Sequence, residues 1–169
     1  MLRLVQMGDM SPSASRVAEF AGVSLRTVFR HFEDMDALYR EMTAALENEL
    51  LPIVRAPYRR RDWRGRLEEL LLRRAEIYER IMPFKTAAGL RRYASTYLRQ
   101  DYERFSRFER ETLLSALPSR IGGDTVRFAA LELVSGFEAW RALRQDMGRS
   151  TELARETVRL SVEQLIAGV

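Results

Sequence analysis

The chain has 169 residues, enough for one domain or for a small module joined to a larger one. It contains no cysteine, which excludes disulfides, thiolate metal sites and a cysteine nucleophile. The net charge is +4, with 28 basic residues of which only Lys85 is a lysine; this balance permits a nucleic-acid partner without establishing one.

The first residues, MLRLVQMGDMSPS, lack the sustained apolar core of a secretory signal. No apolar run reaches the ~18 residues that span a bilayer. With the missing cysteines, this sets the expectation of a cytoplasmic protein with no membrane contact. Leu2 to Met7 reads as the tail of a helix stopped at Gly8, too short to be stable alone. Ser11-Pro12 or Ser13 then offers a cap, and Ala14, Val17 and Ala18 fall at helical spacing up to Gly22. Ser24 caps a further short helix in which Val28 and Phe32 share one face.

Asp34 caps a longer helix from about Met35 to Arg55, with a stripe of Leu38, Met42, Leu46, Leu50 and Ile53. Pro52 is expected to kink or end it. Residues 56–65 (APYRRRDWRG) form the best boundary, and their arginines read as a solvated loop. A helix from Asp62 to Met82 is expected to stop at Pro83, and residues 84–93 to form a separate short helix weakened by Gly89. Ser95 to Leu117 reads as one helix, with Leu98, Tyr102, Phe105, Phe108, Thr112, Leu113 and Ala116 inward and Pro118 as its end. Gly122-Gly123 is a loop, and Asp124 caps a helix running unbroken from Thr125 to Met147 that is apolar on several faces. Ser150 caps the last helix, which ends near Ala167. The expected fold is all-α with about nine helices, no strand pattern and no repeat.

On periodicity alone, residues 13–32 favour an ordinary αα-hairpin over a helix-turn-helix. The wording of the segment adds more. Val17-Ala18, Ala21-Gly22-Val23-Ser24, Thr27-Val28-Phe29, His31-Phe32 and then Leu38-Tyr39 together resemble the N-terminal DNA-binding signature of the TetR family of transcriptional regulators. The resemblance covers roughly the first quarter of the chain. It implies a helix-turn-helix head over residues 1–45 and a helical ligand-binding and dimerisation body over residues 46–169. It also implies a complete helix ahead of the motif; only Leu2 to Met7 stands there, which sets the expectation of a natural chain that begins further upstream.

The expected DNA face comprises Ser24, Leu25, Arg26, Thr27, Phe29, Arg30 and His31. Arg26 and Arg30 are four apart and share a face, so each can read a guanine edge or hold a phosphate. The family often carries Tyr where Phe29 stands and Lys where Met35 stands, and Glu33, Asp34 and Asp36 surround the latter position. Those carboxylates read as favourable charge at a helix N-terminus. In the body, the resemblance implies an apolar effector cavity, for which Tyr78, Met82, Phe84, Tyr97, Tyr102, Phe105, Phe137 and Arg141 are the candidate lining.

The apolar excess of the helix from Thr125 suggests a homodimer through the last two helices. His31 is the only histidine, and no metal-ligand spacing or phosphate loop occurs, so neither a metal, a cofactor nor a catalytic centre is expected. The sequence therefore reads as a ligand-responsive regulator, a repressor binding a palindromic DNA operator. The alternative is a helical ligand-binding or protein-interaction dimer with a degenerate head; an α-helical enzyme is the more distant rival.

Overall fold

The computed structural model describes residues 1–167, and among them the fold is all-α, with ten α-helices, one short π-helical segment and no strand. The helices are α1 (Leu2–Gln6), α2 (Ala14–Ala21), α3 (Leu25–His31), α4 (Met35–Arg55), α5 (Trp63–Arg91), α6 (Thr96–Ala116), α7 (Ser119–Gly122), α8 (Thr125–Ser135), α9 (Phe137–Arg141) and α10 (Thr151–Leu165). The π-helical segment, Ala142–Asp146, follows α9 directly. The chain divides into two compact units, Met1–Pro52 with Ile81–Arg104, and Ile53–Arg80 with Phe105–Val169. The first unit thus takes in residues well beyond position 45.

The first unit has two apolar clusters. Leu4 packs with Val17 and Leu38. The neighbouring Val5 packs with Tyr39, Met42, Leu46, Phe84, Ala87, Ala88 and Leu98. Successive residues on the single turn of α1 therefore enter both clusters. Burial explains how a five-residue helix persists where helix propensity alone would not hold it. The polar anchor of this unit is Asp101, 3% exposed, which takes Lys85 Nζ at 2.8 Å and Arg104 Nη2 at 2.7 Å.

The second unit is built on α5, α6, α8, α9 and α10. Its core includes Leu67, Leu70, Tyr78, Leu113, Leu131, Phe137, Trp140 and Val158. Tyr78 and Phe137 meet edge to face at 5.6 Å between centroids, and Phe105 meets Phe137 the same way at 6.1 Å.

Several sequence expectations are corrected. Pro83 does not end its helix: α5 passes it, so residues 84–91 continue α5 instead of forming a helix of their own, whereas α4 runs over the expected Met35–Arg55 with Pro52 inside it. An interior proline costs about 3 kcal/mol; the burial of Ile81, Phe84, Ala87 and Ala88 around Pro83 offsets it. Gly122, read as loop, closes a single helical turn, Ser119–Gly122. Phe108 is exposed, not inward. The helix from Thr125 is not continuous. It stops at Ser135, and Gly136 takes an extended conformation (φ −82°, ψ 168°) before α9 begins.

Candidate functional site

Two places carry chemistry. In the first, Ser13 caps α2, accepting from Arg16 N at 3.2 Å. Gly22 closes that helix in the left-handed region (φ 66°), where a side chain would be strained. Ser24 Oγ then accepts from Thr27 N at 3.1 Å and lies 2.9 Å from Thr27 Oγ1, so both hydroxyls serve the start of α3. Val28 is buried and Phe32 half-buried, which turns the opposite face outward. Leu25, Arg26, Phe29, Arg30 and His31 are all exposed, and Phe29 is half exposed despite its apolar ring. Arg26 and Arg30 have no ion-pair partner among the described residues. Asp34 Oδ1 accepts from Ala37 N at 2.7 Å, so that carboxylate is engaged in capping α4; Glu33 stays exposed.

The second place is the interruption at Gly136. Ser135 Oγ bonds back to Leu131 O at 2.7 Å, a contact that bends helices. A Cβ on Gly136 would stand 2.9 Å from Glu132 O, so the backbone passes where only glycine fits. The break exposes a carbonyl end and an amide end, and each is met by a charged side chain of the fitting sign. Arg74 Nη1, from α5, donates to Ser135 O at 3.1 Å and to Ser135 Oγ at 2.8 Å. Its Nη2 donates to Glu109 O and to Thr112 Oγ1 at 3.2 Å. Glu109 Oε1, from α6, accepts from Phe137 N at 2.8 Å and from the Tyr78 hydroxyl. Burial pushes the Tyr78 phenol well above its ordinary pKa, so the hydroxyl stays protonated and remains a donor.

Clefts open on this centre. One, of about 310 Å³, is walled by Leu71, Leu72, Ala75, Trp140 and Val158, with Arg74, Tyr78, Ser135 and Gly136 at its base. Another, of about 340 Å³, carries Arg74, Arg110 and Phe137 together with the carboxylates of Glu109, Glu132 and Glu138. A third holds only about 50 Å³ between Tyr58, Phe105 and Phe108. Beside the first cleft, Glu79 accepts from Trp140 Nε1 and Arg144 Nε, both at 2.8 Å. The Arg144 guanidinium holds the Glu79 carboxyl below its ordinary pKa.

The candidate effector residues distribute over the two compact units. Tyr78, Phe105 and Phe137 come together in the aromatic cluster of the second unit. Arg141 lies apart from them and pairs with Glu138 and Asp146. In the first unit, Phe84 is core, tilted against Tyr39 at 6.5 Å. Tyr97 lies under Arg40 and Tyr102 under Arg92, as cation–π contacts at 5.2 and 4.2 Å. Met82 is half-buried. Sequence reading missed Arg74, Glu109, Ser135 and Gly136 altogether. Arg74 sits in an Arg-Arg pair on a helix, which gives no sign that its partner lies 61 residues further along the chain.

Among the described residues no helix is long and apolar enough to cross a membrane, and no group of three His, Asp or Glu side chains converges as a metal site would. No protein-family model matches the chain, and searches of curated proteins and of solved structures returned no match.

Proposed function

We propose that the protein is a ligand-responsive, DNA-binding transcriptional regulator of the TetR type, a repressor that acts as a homodimer in the cytoplasm and has no catalytic role. The observation that carries this reading is the outward face of α3. A seven-residue helix, capped by Ser24 and held at Gly22, turns Arg26, Arg30, Phe29 and His31 to solvent while Val28 anchors it. An exposed guanidinium pair one turn apart suits base edges and phosphates of a major groove. In a two-fold dimer the two copies of α3 would lie ~34–36 Å apart, in successive grooves of a palindromic operator.

Dimerisation through the C-terminal helices is supported by their outward apolar side chains. Val126 and Leu133 on α8 are 81% and 72% exposed, and Leu153 and Leu160 on α10 are about half exposed. Covering this surface with its own copy removes it from water. An effector bound in the body would act through its differential affinity for the two head spacings.

The test is a binding titration of the protein against DNA from upstream of its own gene, at two salt concentrations. The reading expects a sequence-selective complex that weakens steeply with salt. A complex indifferent to sequence and salt, or none, would leave the alternative of a helical binding dimer with an inactive head.

A further inference from the structure

The one deeply buried guanidinium of the second unit is not fully spent on the fold. Arg74 is 6% exposed, yet it forms no ion pair among the described residues. Its two terminal nitrogens serve Ser135, Glu109 O and Thr112, as described above. Its fifth donor, Nε–H, has no acceptor. The fully enclosed side-chain polar atoms without a partner are Tyr39 Oη and Thr43 Oγ1. Arg74 Nε is not among them and so keeps contact with open space. A buried cation with a vacant donor, on a residue that lines a cleft, is a ready seat for an acceptor, best a negative one.

The three clefts that Arg74 borders differ in what they admit. The smallest is too small for a ligand. The 340 Å³ cleft sets the carboxylates of Glu109, Glu132 and Glu138 against only Arg74 and Arg110, an excess of negative charge that disfavours an anion. The 310 Å³ cleft has apolar walls and balances Glu68, Glu152 and Glu156 with Arg74, Arg155 and Arg159, Glu156 being already bound to Arg159. Its volume is at the lower limit of small-molecule sites, ~300–1,000 Å³.

We infer that this cleft binds a small amphipathic carboxylic acid, its carboxylate on Arg74 Nε and its apolar body against Leu71, Leu72, Ala75 and Val158. The inference deepens the regulator reading by giving the effector a chemical class and a place. The same acceptor would lie beside Ser135 and Gly136, so that binding bears on the junction of α8 and α9.

The test needs no DNA. Trp63→Phe leaves Trp140, a wall of this cleft, as the sole tryptophan reporter. The emission of that protein is titrated with octanoate, 1-octanol and octylamine. The expected result is saturable binding of octanoate at least tenfold tighter than of either other probe. Arg74→Gln should abolish the preference, with circular dichroism reporting whether the variant folds. Leu72→Glu, at a position already half exposed, should keep the fold and weaken octanoate at least tenfold. Equal binding of the three probes, no binding, or octanoate binding untouched by Leu72→Glu would overturn the assignment. Octanoate bound as expected by a protein that selects no DNA sequence would instead overturn the regulator reading and leave the site standing.

Discussion

Arg74 and Glu109 hold opposite ends of one broken helix. Arg74 donates to the carbonyl of Ser135, the last residue of α8, and Glu109 accepts the amide of Phe137, the first residue of α9. A cation thus meets the negative end of one helix dipole and a carboxylate the positive end of the next. The arrangement lets a chain change direction inside a packed unit with the Ser135 carbonyl and the Phe137 amide both paired.

Removing Glu109 should therefore cost more than a surface carboxylate does. Glu109→Ala strands the Phe137 amide, a loss of about 1–3 kcal/mol for a buried group left without a partner, and leaves the Tyr78 hydroxyl only its longer bond to Ser135 O at 3.3 Å. Tyr78→Phe removes the hydroxyl together with its bonds to Glu109 and Ser135 O and leaves no buried donor stranded, so it should cost only about 0.5–1.5 kcal/mol. Urea unfolding of the two variants beside the parent checks the ranking. A Glu109→Ala protein as stable as Tyr78→Phe would mean that the break is held by packing alone.

Two glycines should fail for different reasons. Gly136→Ala puts a Cβ 2.9 Å from Glu132 O, in a conformation any residue adopts, so its cost is steric and grows with side-chain size. Gly22→Ala has open space around its Cβ but a φ of 66°, so its cost is conformational, about 1–2 kcal/mol. Asn at Gly22 should recover part of that loss, and Asn at Gly136 should lose more than Ala does. Melting temperatures of the four variants separate the two cases.

The arginines of α3 should matter to DNA and not to folding. Both are exposed and unpaired, so Arg26→Ala and Arg30→Ala should change stability by less than ~0.5 kcal/mol. An arginine on a guanine edge should cost about 1–3 kcal/mol and relax selectivity at one base pair. An arginine on a phosphate should weaken all sequences alike and lower the salt slope by ~0.9. Salt-dependent titrations with cognate and scrambled DNA assign each residue to one role.

The dimer proposed through α8 and α10 can be split without unfolding the chain. Leu133→Arg with Leu160→Arg places charge on two side chains that are already 72% and 51% exposed. Sedimentation should report a monomer with unchanged helix content, and operator binding should fall with it. A dimer that survives both changes lies on another surface.

Acid should act on Glu79. Its folded pKa lies below its ordinary 4.5 because Arg144 bonds the charged form, so it stabilises the fold above about pH 4.5. That contribution declines as the pH falls from 4.5 through the lower folded value and is absent below it. Glu79→Gln should flatten the stability profile in that window and leave it unchanged at neutral pH apart from a constant offset. Denaturant midpoints at pH 7, 5 and 3.5 supply the comparison.

The sequence by itself determined what local chemistry controls. The caps at Ser13, Ser24, Asp34, Asp124 and Ser150 and the stop at Gly22 are short-range hydrogen bonds and backbone preferences, and each is present. The all-α class follows from the 3.6-residue period of the apolar positions, which is likewise written along the chain. Only the tertiary structure decided where helices continue and where they break. Pro83 is a breaker in isolation, but burial of Ile81, Phe84, Ala87 and Ala88 around it outweighs the lost hydrogen bond. The segment from Thr125 looks continuous in isolation, yet it breaks at Gly136 because Arg74 and Glu109 supply the bonds that a continuous helix would have made within itself. Those side chains are 28 or more residues away from the groups they bind. No local period records such distances, and for that reason the exposed face of α3 was legible in the sequence while the buried guanidinium of Arg74 was not.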